Sequence, residues 1–290
     1  MKDIVVTGGN AGIGFETVRE LAGRGHRVIF TSRNTEKGQT ALDRIRNEYP
    51  EAEVSVVQVD LTDFESIREA CSEILEISPR IDVLIHNAGT FQSIRRENEA
   101  GIELSLMVNH VAPFYMTHLL LPALKQSGDG RIICVNSDSH FFGSFDPDNI
   151  NLQRRYQGLR AYCRTKLANV YFTYEFDRRN PYPHLKIFAV HPGLVNTDIG
   201  AKDATFLHRL VWNWRSRSGK TPREGAETSI YLATAEGNEL ESGKYWDNCR
   251  VKKSSKLSYN EQNAAFLWEK TADMCGLAGK DYFLKEGRNR

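Results

Sequence analysis

The sequence predicts a doubly wound α/β fold, in which a parallel sheet of about seven strands carries helices on both faces. Short apolar runs alternate with segments of helical periodicity along most of the chain. The first run, residues 4–6, leads through spaced glycines straight into a helical pattern. Because no composition break, repeat or low-complexity segment interrupts the alternation, we expect one domain over residues 1–290.

The composition is that of an ordinary soluble protein, 40% hydrophobic and 26% charged, and a net charge of +1 predicts no attraction to nucleic acid. The five cysteines form no Cys-x-x-Cys pair, and the eight histidines form no close ligand pair. We therefore expect neither a disulfide framework nor a metal site. No apolar run is long enough to span a bilayer, so we expect no N-terminal anchor and a cytoplasmic, reducing location.

The turn after the first strand contains Gly8, Gly12 and Gly14, ahead of a helical pattern at residues 15–22. Gly8 permits a tight turn, Gly12 lets the backbone approach a pyrophosphate, and Gly14 lets helix and strand pack closely. The helix N-terminus would then offer free N–H groups to the phosphates. This context favours a Rossmann-type dinucleotide site over a plain strand-to-helix turn.

The second strand, residues 26–31, is followed by Ser32 and Arg33. Sites that prefer NAD usually have an acidic residue here, which binds the ribose 2′-hydroxyl. Arg33 can instead pair with a 2′-phosphate, and Lys37 is near enough in sequence to assist. We therefore predict NADP(H) as the cofactor, against the alternative of a solvated arginine at a helix start.

The alternation continues to the C-terminus. The remaining predicted elements are helices at 41–48, 67–77, 101–125, around Tyr162, 222–235 and 261–275, and strands at 53–59, 81–85, 130–135, 185–190 and 243–246. Asp60, at the end of the third strand, either meets an adenine or caps the next helix, where Thr62 or Asp63 would serve equally well. Small residues after the fourth strand, at 87–89, let the backbone lie against a flat ligand.

The long helix at 101–125 contains Asn109 and Pro113. Pro113 should kink this helix and free the carbonyl of Asn109, four residues earlier. Asn109 is then either a local structural bridge or a site that holds a water molecule, and the sequence favours neither.

Ser137 follows the fifth strand, at the edge where open α/β sheets bind ligands. Tyr162 and Lys166 are four apart in a helical segment and so lie on one helix face. An ammonium beside a phenol favours the phenolate and lowers its pKa. A phenol tuned in this way can exchange a proton with an alcohol.

Residues 199–221 break the alternation and mix aromatic with basic side chains. They form either a lid over an apolar pocket or a basic amphipathic helix at a membrane surface. We favour the lid, because the segment directly follows a strand end on the ligand side.

Taken in order, these motifs resemble those of the classical short-chain dehydrogenases/reductases. The motifs are Thr7-Gly8-x-x-x-Gly12-x-Gly14, Asn87-Ala88-Gly89, Asn109, Ser137, Tyr162-x-x-x-Lys166 and Pro192-Gly193. Within the family the chain is most similar to the retinol dehydrogenase-like branch, which includes the WW domain-containing oxidoreductase. That resemblance covers nearly the whole chain and rests on residues 130–133 with Ser137 and His140, residues 162–168, and His191-Pro192-Gly193-x-Val195-x-Thr197.

The resemblance implies roles for four candidate catalytic residues. Tyr162 would be the general acid/base, and Lys166 would bind the nicotinamide ribose and depress the pKa of Tyr162. Ser137 would hold the substrate oxygen near the phenol. Asn109 would, through its freed carbonyl, hold a water that connects Lys166 to solvent.

The resemblance also implies a set of cofactor-binding residues. These are Gly8, Asn10, Gly12, Ile13, Gly14, Ser32, Arg33, Asp60, Leu61, Asn87, Ala88, Gly89, Tyr162, Lys166, Pro192, Gly193, Val195 and Thr197. Asp60 and Leu61 would meet the adenine, and Thr197 the carboxamide. His86 and Asn136 depart from the family pattern, and we expect little effect from either.

The sequence therefore predicts an NADP(H)-dependent oxidoreductase that transfers a hydride between nicotinamide and an apolar alcohol, aldehyde or ketone. The alternative is a non-catalytic dinucleotide-binding sensor or interaction protein on the same fold. The presence of all four candidate catalytic residues favours the enzyme. Two associations stay open, a homodimer through the helices near 101–125 and 160–179, and peripheral membrane contact through residues 199–221.

Overall fold

The computed structural model describes residues 1–195, 219–236 and 239–283. Within these residues one sheet has eight strands, in the order β3-β2-β1-β4-β5-β6-β7-β8. The strands are β1 Asp3–Val6, β2 Arg27–Ser32, β3 Val54–Gln58, β4 Val83–His86, β5 Gly130–Val135, β6 Leu185–His191, β7 Lys244–Asp247 and β8 Arg250–Lys252. All neighbours pair in parallel except β7 and β8. The Rossmann-type prediction is thus confirmed, with its topological switch point between β1 and β4.

Helices cover both faces of the sheet. They are α1 Gly12–Gly23, α2 Thr35–Glu48, α3 Phe64–Ile77, α4 with Leu104–Leu106, a π-helical turn at Met107–Val111 and Ala112–Leu124, α5 Gly158–Arg179, α6 Pro222–Thr234 and α7 Glu261–Met274. Alternate strand residues face opposite layers. Ile4 and Val6 belong to the core under α1, α2 and α6, whereas Val5 belongs to the core under α3, α4 and α7.

Helix α2 begins at Thr35, six residues before the helix predicted there from apolar periodicity. Its first turns are polar and exposed, so they carry no apolar stripe. The start is set instead by Asn34, whose side chain accepts a hydrogen bond from the Lys37 N–H at 2.8 Å. A cap of this kind can be recognised in sequence, but the periodicity alone does not show it.

Strand β8 has no counterpart among the predicted strands. It pairs antiparallel with β7 through a two-residue turn in which Asn248 and Cys249 have φ values of 50° and 57°. Hairpin turns of this type need two residues in the left-handed region, and the usual sequence signal is Asn-Gly. Cys249 does not supply that signal, and a strand of three residues has too little alternation to be predicted.

Helix α7 lies against α4 and α5. Trp268 packs on Phe114 with ring centroids 4.9 Å apart and stacks on Phe172 at 6.0 Å. Thr271 bonds to His110 at 3.0 Å. One face of each helix that the sequence left open for a homodimer is therefore covered by α7.

Residues 196–218 lie outside the described residues. They include Thr197 and most of the segment predicted as a lid or a membrane-surface helix, so both interpretations stay predictions. No helix in the described ranges combines the length and apolar character needed to cross a membrane.

Candidate active site

The turn between β1 and α1 has the geometry that its glycines predict. Gly8 and Gly12 have φ values of 67° and 57°, in the left-handed region. A Cβ on Gly14 would lie 2.2 Å from the Gly8 carbonyl oxygen and 2.4 Å from Asn87 Nδ2, so no side chain fits there. Among the described residues no side chain caps α1, and its first turn has no acidic residue. Its N–H groups are thus available to a phosphate.

Thr7 joins this turn to the end of β4. Its hydroxyl accepts the N–H groups of Asn87 and Ala88, each at 3.0 Å. The Asn87 amide in return donates to the Thr7 carbonyl at 2.9 Å and to the Gly8 carbonyl at 3.2 Å. The predicted Asn-Ala-Gly segment is therefore fixed beside the glycine turn.

The end of β2 presents Arg33 to solvent. The described residues give its guanidinium no ion pair, while the buried Ser32 hydroxyl donates to the Asn34 carbonyl at 2.8 Å. Lys37 is also exposed, one turn into α2. Residues 32–34 thus carry no carboxylate side chain, and Arg33 and Lys37 place two cations near the end of β2, as the sequence predicted.

The hydrogen bonds made after the end of β3 distinguish between the two interpretations of Asp60. Asp63 caps α3, because its carboxylate accepts the N–H groups of Glu65 and Ser66. One oxygen of Asp60 binds the Thr62 N–H at 2.9 Å and hydroxyl at 2.7 Å. Asp60 is therefore not the helix cap, and its role at an adenine stays a prediction.

Asn109 lies in the π-helical turn of α4, ahead of Pro113. Its side chain makes two hydrogen bonds with the backbone of Thr90. It accepts the Thr90 N–H at 2.7 Å and donates to the Thr90 carbonyl at 2.9 Å. It also donates to the Thr165 hydroxyl at 3.1 Å. The side chain is thus a structural bridge between the loop after β4 and α5, and the water-holding role of its carbonyl stays a prediction.

Tyr162 and Lys166 share one buried face of α5, directed at the end of β5. The Lys166 ammonium lies 5.6 Å from the centre of the Tyr162 ring and donates to the Val135 carbonyl at 3.1 Å. The Ser137 side chain lies close enough to the Tyr162 phenol to lower its pKa through hydrogen bonding. The phenol of Tyr162, the hydroxyl of Ser137 and the ammonium of Lys166 therefore lie near one another at the carboxyl end of β5.

Burial is the largest cause of the pKa shifts of both Tyr162 and Lys166. It raises the pKa of Tyr162 to about 12, against a lowering by the hydrogen bond with Ser137. It lowers the pKa of Lys166 to about 8. The expectation that Lys166 lowers the pKa of Tyr162 stays a prediction.

Hydrogen bonds fix the short turn that carries Ser137. The Ser137 hydroxyl donates to the Ser139 hydroxyl and accepts the Ser139 N–H, both at 3.1 Å. The Asn136 side chain accepts the Ser137 N–H at 2.8 Å. Asn136, a departure from the family pattern, thus helps to shape this turn. The other departure, His86, is buried and bonded to Thr117 at 2.8 Å.

The residues that follow β6 form the other side of the candidate site. Gly193 has a φ of 87°, and a Cβ there would lie 2.8 Å from Lys220 Cδ. A Cβ on Gly225 would lie 2.7 Å from Val195 and 3.2 Å from Ile13 of the glycine turn. The ends of β1 and β6 are therefore in contact through α6.

Phe91 is a site residue that the sequence analysis did not single out. Its ring lies edge-on to Tyr162 with centroids 6.2 Å apart. A Cβ on Gly158 would lie 3.1 Å from the same ring, so Phe91 also packs on the start of α5. An aromatic residue two positions after Asn87-Ala88-Gly89 was the available signal.

The residues present fit a dinucleotide. The described candidates lie at the carboxyl ends of β1 to β4 and β6, in the first turn of α1 and on α5: Gly8, Asn10, Gly12, Ile13, Gly14, Ser32, Arg33, Asp60, Leu61, Asn87, Ala88, Gly89, Tyr162, Lys166, Pro192, Gly193 and Val195. A Cβ on Gly89 would lie 3.4 Å from Asn109 Oδ1 and 3.9 Å from Lys166 Nζ, so backbone lies open beside the ammonium. Thr197 is outside the described residues. Together the fold and this edge define a Rossmann-type oxidoreductase that uses a dinucleotide.

Comparison with known proteins gives the family. The family model described as short chain dehydrogenase matches residues 2–206. Retinol dehydrogenase 12 of Homo sapiens is 38% identical over 276 residues, which cover 95% of this chain and 87% of that protein. Retinol dehydrogenase 14 of Homo sapiens is 36% identical, with coverage of 95% and 87%. The chain belongs to the short chain dehydrogenase family and to its retinol dehydrogenase-like branch.

Solved structures agree on the fold. An uncharacterised protein from Mycobacterium paratuberculosis superposes with a TM-score of 0.78 at 29% identity, over 96% of this chain and 94% of that chain. The NADPH-bound carbonyl reductase from chicken fatty liver has a TM-score of 0.64 at 22% identity, over 88% and 99%. The second likeness shows the fold alone. Family and fold together make the chain an oxidoreductase that acts on CH–OH groups with NAD(P).

Proposed function

We propose that this enzyme uses NADP(H) to interconvert apolar alcohols with their aldehydes or ketones, with Tyr162 as the proton donor and acceptor. The observation that carries the proposal is the closeness of the Ser137 hydroxyl to the Tyr162 phenol, whose pKa it lowers, beside the buried Lys166 ammonium. A hydroxyl and a phenol that lie this close together can both bond to one substrate oxygen. Donors placed in this way stabilise charge as it develops on that oxygen.

The protein's own groups would handle the proton. With a pKa of about 12, Tyr162 is protonated at neutral pH and can donate to an alkoxide. Ser137 would orient the substrate oxygen, and Lys166 would bind the ribose and place positive charge near the phenol. Asn109 would hold the loop after β4 and, through its carbonyl, a water. Bound NADP(H) supplies or accepts the hydride.

The choice of NADP(H) over NAD(H) rests on Arg33. It is exposed at the carboxyl end of β2, where an NAD site usually has a carboxylate. A guanidinium binds a phosphate through two parallel N–H groups and keeps its charge at any physiological pH. Lys37 adds a second positive charge on the first turn of α2. The remaining cofactor candidates, including Asp60 and Leu61 at the adenine, are proposed with the roles that the family implies.

The proposal of an apolar substrate rests on apolar side chains that contact Tyr162 or lie near Ser137 and Tyr162 in the sequence. Phe91 contacts Tyr162, Phe141 and Phe142 end the Ser137 turn, and Leu159 lies one helical turn before Tyr162. Phe142 is 77% exposed and Leu159 53%, which is costly for apolar side chains unless something apolar covers them. The names of the two relatives compared above specify retinol, itself an apolar alcohol.

A steady-state assay tests the proposal. Medium-chain and retinoid aldehydes and ketones would be offered with NADPH and, in parallel, with NADH, and the absorbance of the reduced cofactor followed. We expect turnover that prefers NADPH and falls by about 10²- to 10⁴-fold in Tyr162→Phe, because the proton donor is lost.

Two variants sharpen the cofactor assignment. Arg33→Ala should raise the KM for NADPH by about tenfold or more while leaving the KM for NADH nearly unchanged, since only the former has a 2′-phosphate. Arg24→Ala, which removes an exposed arginine paired with Glu20, is the matched control. Equal use of both cofactors by the native enzyme would contradict the role of Arg33. Tight NADPH binding without turnover of any substrate would favour the non-catalytic sensor.

A further inference from the structure

The last two strands hold the turn that carries Ser137 from outside. The carboxylate of Asp138 accepts the Tyr245 hydroxyl at 2.9 Å and the Lys252 ammonium at 3.1 Å. Tyr245 lies on β7 and Lys252 on β8, and Lys252 also bonds to Asp247 at 2.9 Å. The residue directly after Ser137 is thus bound by both strands of one hairpin.

His140 makes a second connection between this turn and the same part of the chain. Its Nδ1 donates to the Ser137 carbonyl at 2.8 Å, and its Nε2 accepts the N–H of Ser255 at 3.1 Å. Because Nε2 accepts, the ring is neutral with its proton on Nδ1. The ring is fully buried and packs on Tyr245 with centroids 4.6 Å apart.

His191 connects the same carboxylate to the end of β6. Its Nδ1 accepts the Asp138 N–H at 3.3 Å, and its Nε2 lies 3.4 Å from the Asp138 carboxylate. Pro192 and Gly193, which we propose to line the cofactor, follow directly. The loops after β5 and β6 are therefore held to each other through Asp138.

We infer that Asp138 is a positioning residue, which uses the β7–β8 hairpin to hold the Ser137 hydroxyl in register with Tyr162. This inference rests on the role proposed for Ser137. Within the turn itself the Ser137 hydroxyl is bonded to Ser139, two residues away. Such local bonds move with the turn, so they cannot fix it against α5. The bonds from Tyr245 and Lys252 reach across more than a hundred residues and tie the turn to the sheet.

Two single variants test the inference. Asp138→Asn removes the charge that Lys252 binds, and Lys252→Met removes the ammonium from a side chain that is 39% exposed and so tolerant of change. We expect kcat to fall by about tenfold or more in each, because small displacements of reacting groups are costly. In Lys252→Met, which leaves the contact between Asp138 and His191 in place, the KM for NADPH should change by less than about twofold. Lys253→Met, an exposed neighbouring lysine, is the matched control and should behave as the native enzyme.

A double-variant comparison separates positioning from general damage to the fold. In a Ser137→Ala background, Asp138→Asn should reduce the residual activity by less than about twofold, because its effect acts through the missing hydroxyl. The pH profile gives a second readout. Asp138→Asn should move the alkaline inflection of alcohol oxidation upwards, the same direction that we expect for Ser137→Ala. Lys252→Met and Tyr245→Phe repeat the test if Asp138→Asn does not fold.

The outcomes are distinct. Equal losses in the native and Ser137→Ala backgrounds, or native kcat in both Asp138→Asn and Lys252→Met, would overturn the positioning role and leave the proposed function intact. Native activity in Ser137→Ala would overturn the proposed role of the serine and the inference with it.

Discussion

At Tyr162, two effects act in opposite directions on the pKa of the phenol. Burial disfavours the phenolate, and the hydrogen bond with Ser137 favours it. Burial is the larger effect in the cofactor-free chain. Ser137 therefore does more than orient the phenol. It lowers the pKa of the phenol towards the pH range in which the phenolate can act as a base.

Replacing Ser137 should show this directly. In Ser137→Ala the phenolate loses its hydrogen bond, so the pKa of Tyr162 should rise further. Alcohol oxidation needs the deprotonated phenol, so the alkaline inflection of kcat/KM should move to higher pH. The pH dependence of alcohol oxidation measures it, with Ser144→Ala in the following loop as control. A loss of rate with an unmoved inflection would show that Ser137 does not affect the phenol.

A second prediction concerns the effect of the buried Lys166 on native stability. Burial lowers its pKa from about 10.5 to about 8, so the folded chain disfavours the ammonium. Below pH 8 both folded and unfolded chains bind the proton, and the folded chain bears the full cost of the buried charge. As the pH rises from 8 to 10.5 the folded chain loses its proton first, and native stability rises.

Lys166→Met removes this charge at every pH. The gain in the free energy of unfolding over the native chain should therefore be larger at pH 7 than at pH 9.5, by about 2 kcal/mol. Urea unfolding of the cofactor-free proteins at both pH values measures it, and effects of other titrating groups cancel in the difference. An equal change at both pH values would mean that the ammonium is not disfavoured by burial.

At the scale of elements, α7 shows how the C-terminal part completes the core. Trp268 contacts Phe114 of α4, Phe172 of α5 and Tyr282 beyond the helix. These rings share one cluster under the sheet face that also carries the proposed catalytic helix. Loss of α7 packing should therefore affect global stability rather than a single loop.

Trp268→Ala should lower the free energy of unfolding by about 3 to 5 kcal/mol, because it leaves a large cavity among aromatic side chains. Chemical unfolding of the purified variant measures the change. Phe266→Ala removes an aromatic residue from the same helix at a position that is 37% exposed, and its cost should be much smaller. Similar costs for the two would contradict the packing role of Trp268.

At the scale of the whole molecule, the covered faces of α4 and α5 bear on association. The sequence left these helices open as a dimer surface, and the structure packs them against α7 and Tyr282. A second copy could reach them only by displacing a well-packed helix. We therefore expect no homodimer through this face.

Size-exclusion chromatography with light scattering checks that expectation. It should give the mass of one chain, unchanged as the protein concentration is varied over about two decades, because mass action would otherwise drive association. A two-chain mass that is lost when α7 is destabilised by Trp268→Ala would mean that α7 forms part of an interface and does not merely cover one.

The sequence by itself determined the parallel sheet, its glycine turn and the motif residues, because strand periodicity, glycine spacing and a four-residue helical repeat are local signals. It could not show that Asp63, and not Asp60, caps α3, since both carboxylates fit the spacing. Nor could it give the pKa of Tyr162, which depends on how much water the folded chain removes.

Only the tertiary structure decided how distant parts of the chain act on the candidate site. Strand β8 is too short for a sequence signal, yet its Lys252 binds the carboxylate beside Ser137. Helix α7 is predictable as a helix, but which face it covers depends on side chains far away in sequence. Contacts of this kind leave no periodic pattern, because they arise only when the folded chain brings the carboxyl ends of the strands together.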